Sequence, residues 1–291
     1  MESNRQITVL ILTIAYFFIE LFGGLYYRSL ALVTDASFMA INITGQFVAL
    51  YVARISKKLP TKNNTFGYER SKVLSGLFNG ILVGFLLFYV FVDAYKKIMH
   101  PEPIEADRVL LIAIIGLVVN AYGFIQFYRH SADMNLKGAR LLIANDALGS
   151  IGVIVSAIII RQTSFYFLDP VAALIIGLLI AYPTYFLVRD SVHILMEGNP
   201  AKTGPEEVER FIYAHFPYIA RVKDIHIWGL SPERIILAIR VRTSGTTYDG
   251  TAAREMKHRL LAEYGFSDIY LELYEEKKQI DCAKKLGRDA A

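Results

Sequence analysis

The sequence predicts an α-helical membrane bundle of six transmembrane helices followed by a cytoplasmic α+β domain of order αββαβ. Three observations carry that prediction. Of 291 residues, 54% are hydrophobic and only 20% charged, with a mean hydropathy of +0.37, whereas a soluble domain carries about 25% charge. The apolar residues gather into runs of the length that crosses a ~30 Å hydrocarbon core, roughly 20 residues. From Glu197 onward the runs stop, and alternating and amphipathic patterns replace them.

The runs lie near Ile7–Tyr26, Ser29–Ala53, Val73–Ala94, Val109–Tyr128, Leu141–Ile160 and Pro170–Val188. The first follows the short polar stretch Met1–Gln6 and has no small-residue cleavage site, so it reads as a span and not a signal peptide. Arg54, Lys57, Lys58, Lys62, Arg70 and Lys72 follow the second run, and Arg129, Lys137 and Arg140 follow the fourth. The positive-inside rule places those loops, and both chain ends, in the cytoplasm. Lys96 and Lys97 argue the other way but are outnumbered, and Glu102, Glu105 and Asp107 follow them. The membrane domain is expected over 1–198 and the cytoplasmic domain over 199–291. Short loops and compact ends point to a prokaryotic inner membrane.

In the C-terminal part, Pro205–Phe216 reads as a helix after the capping-type pair Thr203-Gly204. Strands are expected at Val222–Trp228, Arg234–Thr243 and Ile269–Glu275, with a second helix at Asp249–Tyr264. In the second strand Ile235, Leu237, Ile239 and Val241 share one face, and Arg234, Ala238, Arg240 and Arg242 the other. Helices cover one face of so small a sheet, and the open face points to a second subunit.

Composition excludes several classes of function. One cysteine, Cys282, cannot form an internal disulfide and fits a free thiol in a reducing compartment. A net charge of +4 without a basic stripe argues against nucleic-acid binding. No glycine-rich phosphate loop, nucleophile elbow or catalytic carboxylate pair is present, so no enzyme is expected.

Ionisable residues inside spans are costly and mark sites. Glu20, Asp35, Asp93, Asp146 and Asp169 qualify, and no Lys or Arg lies mid-span to pair with them. Unpaired carboxylates in a bundle interior require protons or metal ions as counter-charges, which points to a cation or proton pathway. Asp93 and Asp169 sit near span ends, where helix capping or solvent contact accounts for them. Asp35, Phe38 and Asn42 share one helical face, and Gln46 continues it. Asn145-Asp146 lies at a similar depth in the fifth run. Asp35, Asn42 and Asp146 are the candidate metal ligands, and such hard oxygen donors suit Mn or Mg better than thiophilic ions. Asn79 and Asn120 are expected to hydrogen-bond between helices, and Gly76-x-x-x-Gly80 to let helices approach closely.

Six segments together resemble the cation diffusion facilitators, a family of zinc and divalent-cation exporters. They are Glu20-Leu-Phe-Gly-Gly-Leu with Ser29-Leu-Ala-Leu-Val-Thr-Asp35-Ala, Phe66-Gly-Tyr-Glu-Arg-Ser-Lys-Val-Leu with Phe78-Asn79-Gly80, Asn145-Asp146-Ala-Leu-Gly-Ser-Ile-Gly-Val, Asp169-Pro170, Ser191-Val-His-Ile-Leu-Met-Glu-Gly-Asn-Pro200 and Val222-Lys-Asp-Ile-His-Ile-Trp228. The resemblance spans nearly the whole chain. It implies a homodimer of six-span protomers, a metallochaperone-like (ferredoxin-like) cytoplasmic domain, and export of a divalent cation in exchange for protons, with no permanently bound cofactor. It also implies a four-ligand metal site between the second and fifth spans, suited to tetrahedral zinc.

The four positions that match that site are Phe38, Asn42, Leu142 and Asp146. Phe and Leu cannot coordinate a metal, so the ordinary zinc site is absent. Two readings follow. Either the chain transports a harder cation, Mn or Fe before Zn, through Asp35, Asn42 and Asp146, with Asp146 taking the exchanged proton. Or it is a transport-inactive member acting as a structural or regulatory subunit, possible in a heterodimer with a competent relative. In the cytoplasmic domain Arg240 stands about where relatives place a histidine, and is expected to pair with a carboxylate such as Glu272 across the open face. Asp268 and Glu275 read equally as metal ligands or as surface carboxylates, and His226 beside Trp228 as a folding or interface residue before a metal ligand. Weak metal affinity is expected there.

Overall fold

The computed structural model describes the backbone over residues 2–128, 134–243 and 250–273, and the side chains there except at positions 2–7, 10 and 126–145. Arg129, Lys137, Arg140, Leu142, Asn145, Asp249, Glu275 and Cys282 therefore fall outside the described side chains. The chain divides into two compact units. One comprises 1–55 and 74–189, the other 56–73 and 190–291.

The first unit is built from six long helices: α1 (Glu2–Tyr26), α2 (Leu30–Ile55), α3 (Arg70–Met99), α4 (Ala106–Tyr128), α5 (Met134–Thr163) and α6 (Leu168–Leu195). Five of them, α2 to α6, are long and apolar enough to cross a membrane, and the apolar part of α1 with described side chains, Ile11–Tyr26, is shorter. Their outward faces carry Phe85, Phe88, Leu178 and Tyr182, all well exposed, as a lipid-facing surface requires. Tyr16, Leu32, Phe38, Met39, Val90, Ile112, Val153 and Ile176 form part of the core between them. Gly80 lies so close to α6 that a Cβ there would strike Val188.

How α2 begins decides the register of the bundle. The turn from α1 is three residues long, with Arg28 in the left-handed region at φ 60°. The first backbone N–H groups of a helix have no partner within it. Here Asp169, at the start of α6, supplies one: Ser29 Oγ donates to Oδ1 at 2.5 Å, and the N–H groups of Leu30 and Ala31 donate to Oδ2 at 2.5 and 3.4 Å. Ser29 Oγ in turn accepts from Leu32 N at 3.2 Å. Asp169 is thus a buried helix cap rather than a residue meeting solvent. Asp93 pairs with Lys97 at 3.7 Å and stays half-buried. Arg28 with Glu102 and Arg161 with Asp107 close the same end of the bundle.

The second unit contains α7 (Pro205–His215), β1 (Ile219–Ser231), β2 (Arg234–Thr243), α8 (Gly250–Tyr264) and β3 (Asp268–Leu273). The order is the expected αββαβ. The sheet runs β1-β2-β3, with β1 antiparallel and β3 parallel to β2. Val208 and Ile212 of α7 and Met256 and Leu260 of α8 pack on Leu237, Ile239, Val241 and Ile269. Both helices therefore lie on the sheet face that the alternation of β2 marks as apolar. Ile236, on the opposite face, is also fully buried, which the alternation did not indicate. Thr203 does not cap α7: Gly204 takes that place with no side-chain hydrogen bond, and Pro205 at the first helical position fixes the backbone instead. The segment 56–73 belongs to this unit. Gly67 adopts φ 77°, Arg70 pairs with Glu197 at 3.2 Å, and Arg234 Nη1 donates to Phe66 O at 3.4 Å.

Candidate functional site

The start of α2 meets the start of α6 through Asp169, and α5 ends a few residues before α6 begins. Helices α2 and α5 are therefore antiparallel. Their register is fixed by Gly149, where a Cβ would collide with Asp35 Oδ1 and come within 3.0 Å of Asp35 Cγ. Each step along α2 is matched by a step back along α5. Phe38 then stands level with Asp146, and Asn42 with Leu142.

Asp35 is buried and Glu20, from α1, fully so. The Tyr16 hydroxyl donates to Glu20 Oε1 at 2.9 Å. Tyr16 and Glu20 lie four residues apart and so on one face of α1. Glu20 Oε2 is buried without a hydrogen-bond partner. What stands beside it is Asp35, a second carboxylate, which offers no donor when ionised. Asp35 in turn lies within electrostatic reach of Asp146. Ser150 Oγ donates to Asp146 O at 3.2 Å and receives a long contact, 3.5 Å, from Asn120 Nδ2. Tyr16 fits where a Cβ on Gly116 would be.

The structure thus brings Asp35 and Asp146 together across the α2–α5 seam. Asn42 is half-buried and lies seven residues beyond Asp35, about 10 Å along the helix axis. Metal–oxygen bonds are about 2.0–2.6 Å, so Asp35 and Asn42 cannot hold one ion between them. The predicted trio is therefore not a single cluster: Asp35 stands near Asp146, and Asn42 lies about two turns further along α2. Phe38 is buried in the core between those levels. Among the described residues, no three His, Cys, Asp or Glu side chains stand close enough to hold a metal ion together. Tyr16, Gly116 and Gly149 were absent from the expectation. The Tyr16–Glu20 spacing was readable in the sequence, but the facing glycines were not.

Asn120 makes its expected contact between helices, whereas Asn79 Oδ1 is buried against Gly45 of α2 without a hydrogen-bond partner. On the open face of the C-terminal sheet, Arg240 donates to Glu272 Oε2 through Nε at 2.5 Å and to Asp224 Oδ2 through Nη1 at 3.3 Å. Asp224 reaches it from an irregularity in β1 at φ 53°. These hydrogen bonds raise the Arg240 pKa further, Glu272 contributing most. The cleft there, about 430 Å³ and flanked by His226 and Tyr270, already contains a cation. Asp268 pairs with Arg234 at 3.1 Å. His193 and His215 contact the backbone carbonyls of Asn199 and Phe211.

Comparison with known proteins agrees with the bundle. The cation efflux transmembrane domain matches residues 7–196. The cation efflux system protein CzcD of Alcaligenes sp. (strain CT14) is 35% identical over 241 residues, covering 82% of this chain and 76% of its own. The zinc transporter ZitB of Pectobacterium atrosepticum is 28% identical over 265 residues, covering 90% and 82%. The cadmium, cobalt and zinc/H(+)-K(+) antiporter of Bacillus velezensis is 32% identical over 234 residues, covering 79% and 74%. These relatives are named for transport, not catalysis. With its helices, its buried acids and this match over most of its length, the chain is an integral membrane protein of the cation efflux family, the cation diffusion facilitators.

Proposed function

We propose that this protein exports a divalent cation from the cytoplasm in exchange for protons. The observation that carries the reading is the facing of Asp35 and Asp146 across an antiparallel seam with no Lys or Arg mid-span. Asp146 is the shared ligand: an incoming ion meets Asn42 and Asp146, then Asp146 and Asp35, and a proton replaces it on Asp146 when it leaves. The relatives' names give zinc, cadmium and cobalt as their ions. Oxygen donors alone favour a harder ion here, Mn²⁺ or Fe²⁺ before Zn²⁺. All six long helices cross a bacterial inner membrane, with both termini and the 199–291 domain in the cytoplasm and 1–198 as the membrane domain. The domain has a metallochaperone-like fold, and its open face belongs to a homodimer.

Metal-driven proton flux in proteoliposomes, with Zn²⁺, Cd²⁺, Mn²⁺, Fe²⁺ and Co²⁺ each tested, decides the matter. Flux with one ion, abolished in Asp146→Asn while the dimer stays intact, is the expected result. An Asp146→Asn variant that transports normally removes Asp146 from the mechanism. A second reading has one observation in its favour: Phe38, level with Asp146, is buried in the core where a ligand is needed. On that reading the chain is a transport-inactive subunit of a homo- or heterodimer, and folded protein gives no flux with any ion.

A further inference from the structure

Glu20 lies outside the ligands assigned above, and the packing around it points to a role. It is fully buried. Its Oε1 is held by the Tyr16 hydroxyl, while Oε2 is buried with no partner. Asp35 stands beside it. Two ionised carboxylates side by side in apolar surroundings repel each other strongly, since the interaction is poorly screened there. Such a pair persists only with a proton shared between the two groups or a cation between them.

The neighbouring helices fit around this pair. Gly149 of α5 lies against Asp35, and Gly116 of α4 lies against Tyr16; a Cβ at either position would collide with the side chain it faces. Backbone from two further helices therefore approaches the pair without adding a competing side chain. The donors are all oxygens. Among the described residues, the histidines lie elsewhere, at 100, 193, 215, 226 and 258.

We infer that Glu20 and Asp35 form a second cation station on the transport path, nearer the α1–α2 turn than Asp146, binding a hard divalent ion through one carboxylate each and retained water. Two carboxylates neutralise a dication. An ion of the Mn²⁺ or Mg²⁺ type is held in this way, by one or two carboxylates with several waters kept. Tyr16 is a positioning residue: it fixes the Glu20 carboxylate so that Oε2 is left for the ion. The inference rests on the transport reading above and extends the path from Asp146 through Asp35 to Glu20.

Titration of the full-length detergent-purified protein with Mn²⁺ alone, followed by the loss of the free-ion EPR signal, tests it. Glu20→Gln is expected to weaken Mn²⁺ binding at least tenfold, with Asp93→Asn, an ion-paired residue away from the path, within twofold of the parent. Glu20→Asp keeps the charge on a shorter arm and is expected to fall between the two, which holds the test open if Glu20→Gln does not fold. Tyr16→Phe is expected to weaken binding less than Glu20→Gln. Mn²⁺ binding unchanged in Glu20→Gln overturns the inference and assigns the Glu20–Asp35 pair to a shared proton. In that case flux lost in Asp146→Asn still supports the transport reading. Parent protein that binds and transports Zn²⁺ but not Mn²⁺ overturns the hard-ion station alone, and parent protein that binds and moves no ion overturns both.

Discussion

Replacing Asp169 tests whether α2, which carries Asp35, depends on a cap borrowed from another helix. The buried carboxylate accepts from Ser29 Oγ, Leu30 N and Ala31 N. Removing a helix cap costs about 0.5–2 kcal/mol, and a hydrogen bond to a charged group contributes about 1.5–3 kcal/mol. The two overlap here, because the same N–H groups are counted in both. Asp169→Ala leaves Ser29 Oγ and Leu30 N buried without their acceptor, and a loss of about 3 kcal/mol is expected. For a chain of this size each kcal/mol lowers Tm by about 2–4 °C, so the variant should melt roughly 6–12 °C below the parent. Asp169→Asn keeps one oxygen acceptor and should fall between them. Fluorescence-detected size exclusion after heating measures this in detergent. Because Asp35 lies five residues from Leu30, a frayed first turn should also weaken metal binding. An Asp169→Ala variant melting with the parent would show that the α2 start is held by other contacts, and the register drawn from Asp169 would lose its support.

Two further predictions concern the seam. Gly149→Ala places a methyl group where Asp35 Oδ1 lies; overpacking of this kind costs about 1–3 kcal/mol, and the rate of metal-driven flux should fall at least tenfold while the size-exclusion profile stays that of the parent. Wild-type flux from Gly149→Ala would mean that Asp35 is free to move aside. The triple variant Phe38→His, Asn42→Asp, Leu142→His supplies four ligands with Asp146, the number tetrahedral zinc prefers. Zinc flux should appear or rise, and no gain would place the difference beyond the ligand set.

Much of this was legible in the sequence because hydrophobic length and period are local properties. The six apolar runs correspond to six long helices, and β2 begins and ends at Arg234 and Thr243 as its alternation indicates. The pairing of Arg240 with Glu272 was legible for the same reason, since neighbouring strands place like-facing residues side by side. What stayed hidden depends on facing helices. Asp35 and Asn42 share a face of α2, which suggested a common site. Only the register set by Gly149 shows that Asp146 stands between their levels. Glu20 was marked as a costly buried charge, but its neighbour Asp35 comes from a different helix across a three-residue turn. The role of Asp169 was hidden likewise, because its partners are about 140 positions away.

The two acidic clusters of this protein resolve their charge in opposite ways, and that contrast supports cation transport. On the exposed sheet face, Asp224 and Glu272 are both satisfied by Arg240. Water screens whatever charge remains there, so nothing about that face calls for an ion from outside. In the bundle, Glu20 and Asp35 are buried where screening is poor, Asp146 beside them is half-buried, and no Lys or Arg lies mid-span to balance them. A fixed guanidinium there would neutralise the acids once and for all and leave the path closed to other cations. Without one, charge balance is left to protons or a metal ion. These two occupants exclude each other at the same carboxylates. On the proposed reading, exchange of one for the other follows from their competition for the same oxygen atoms.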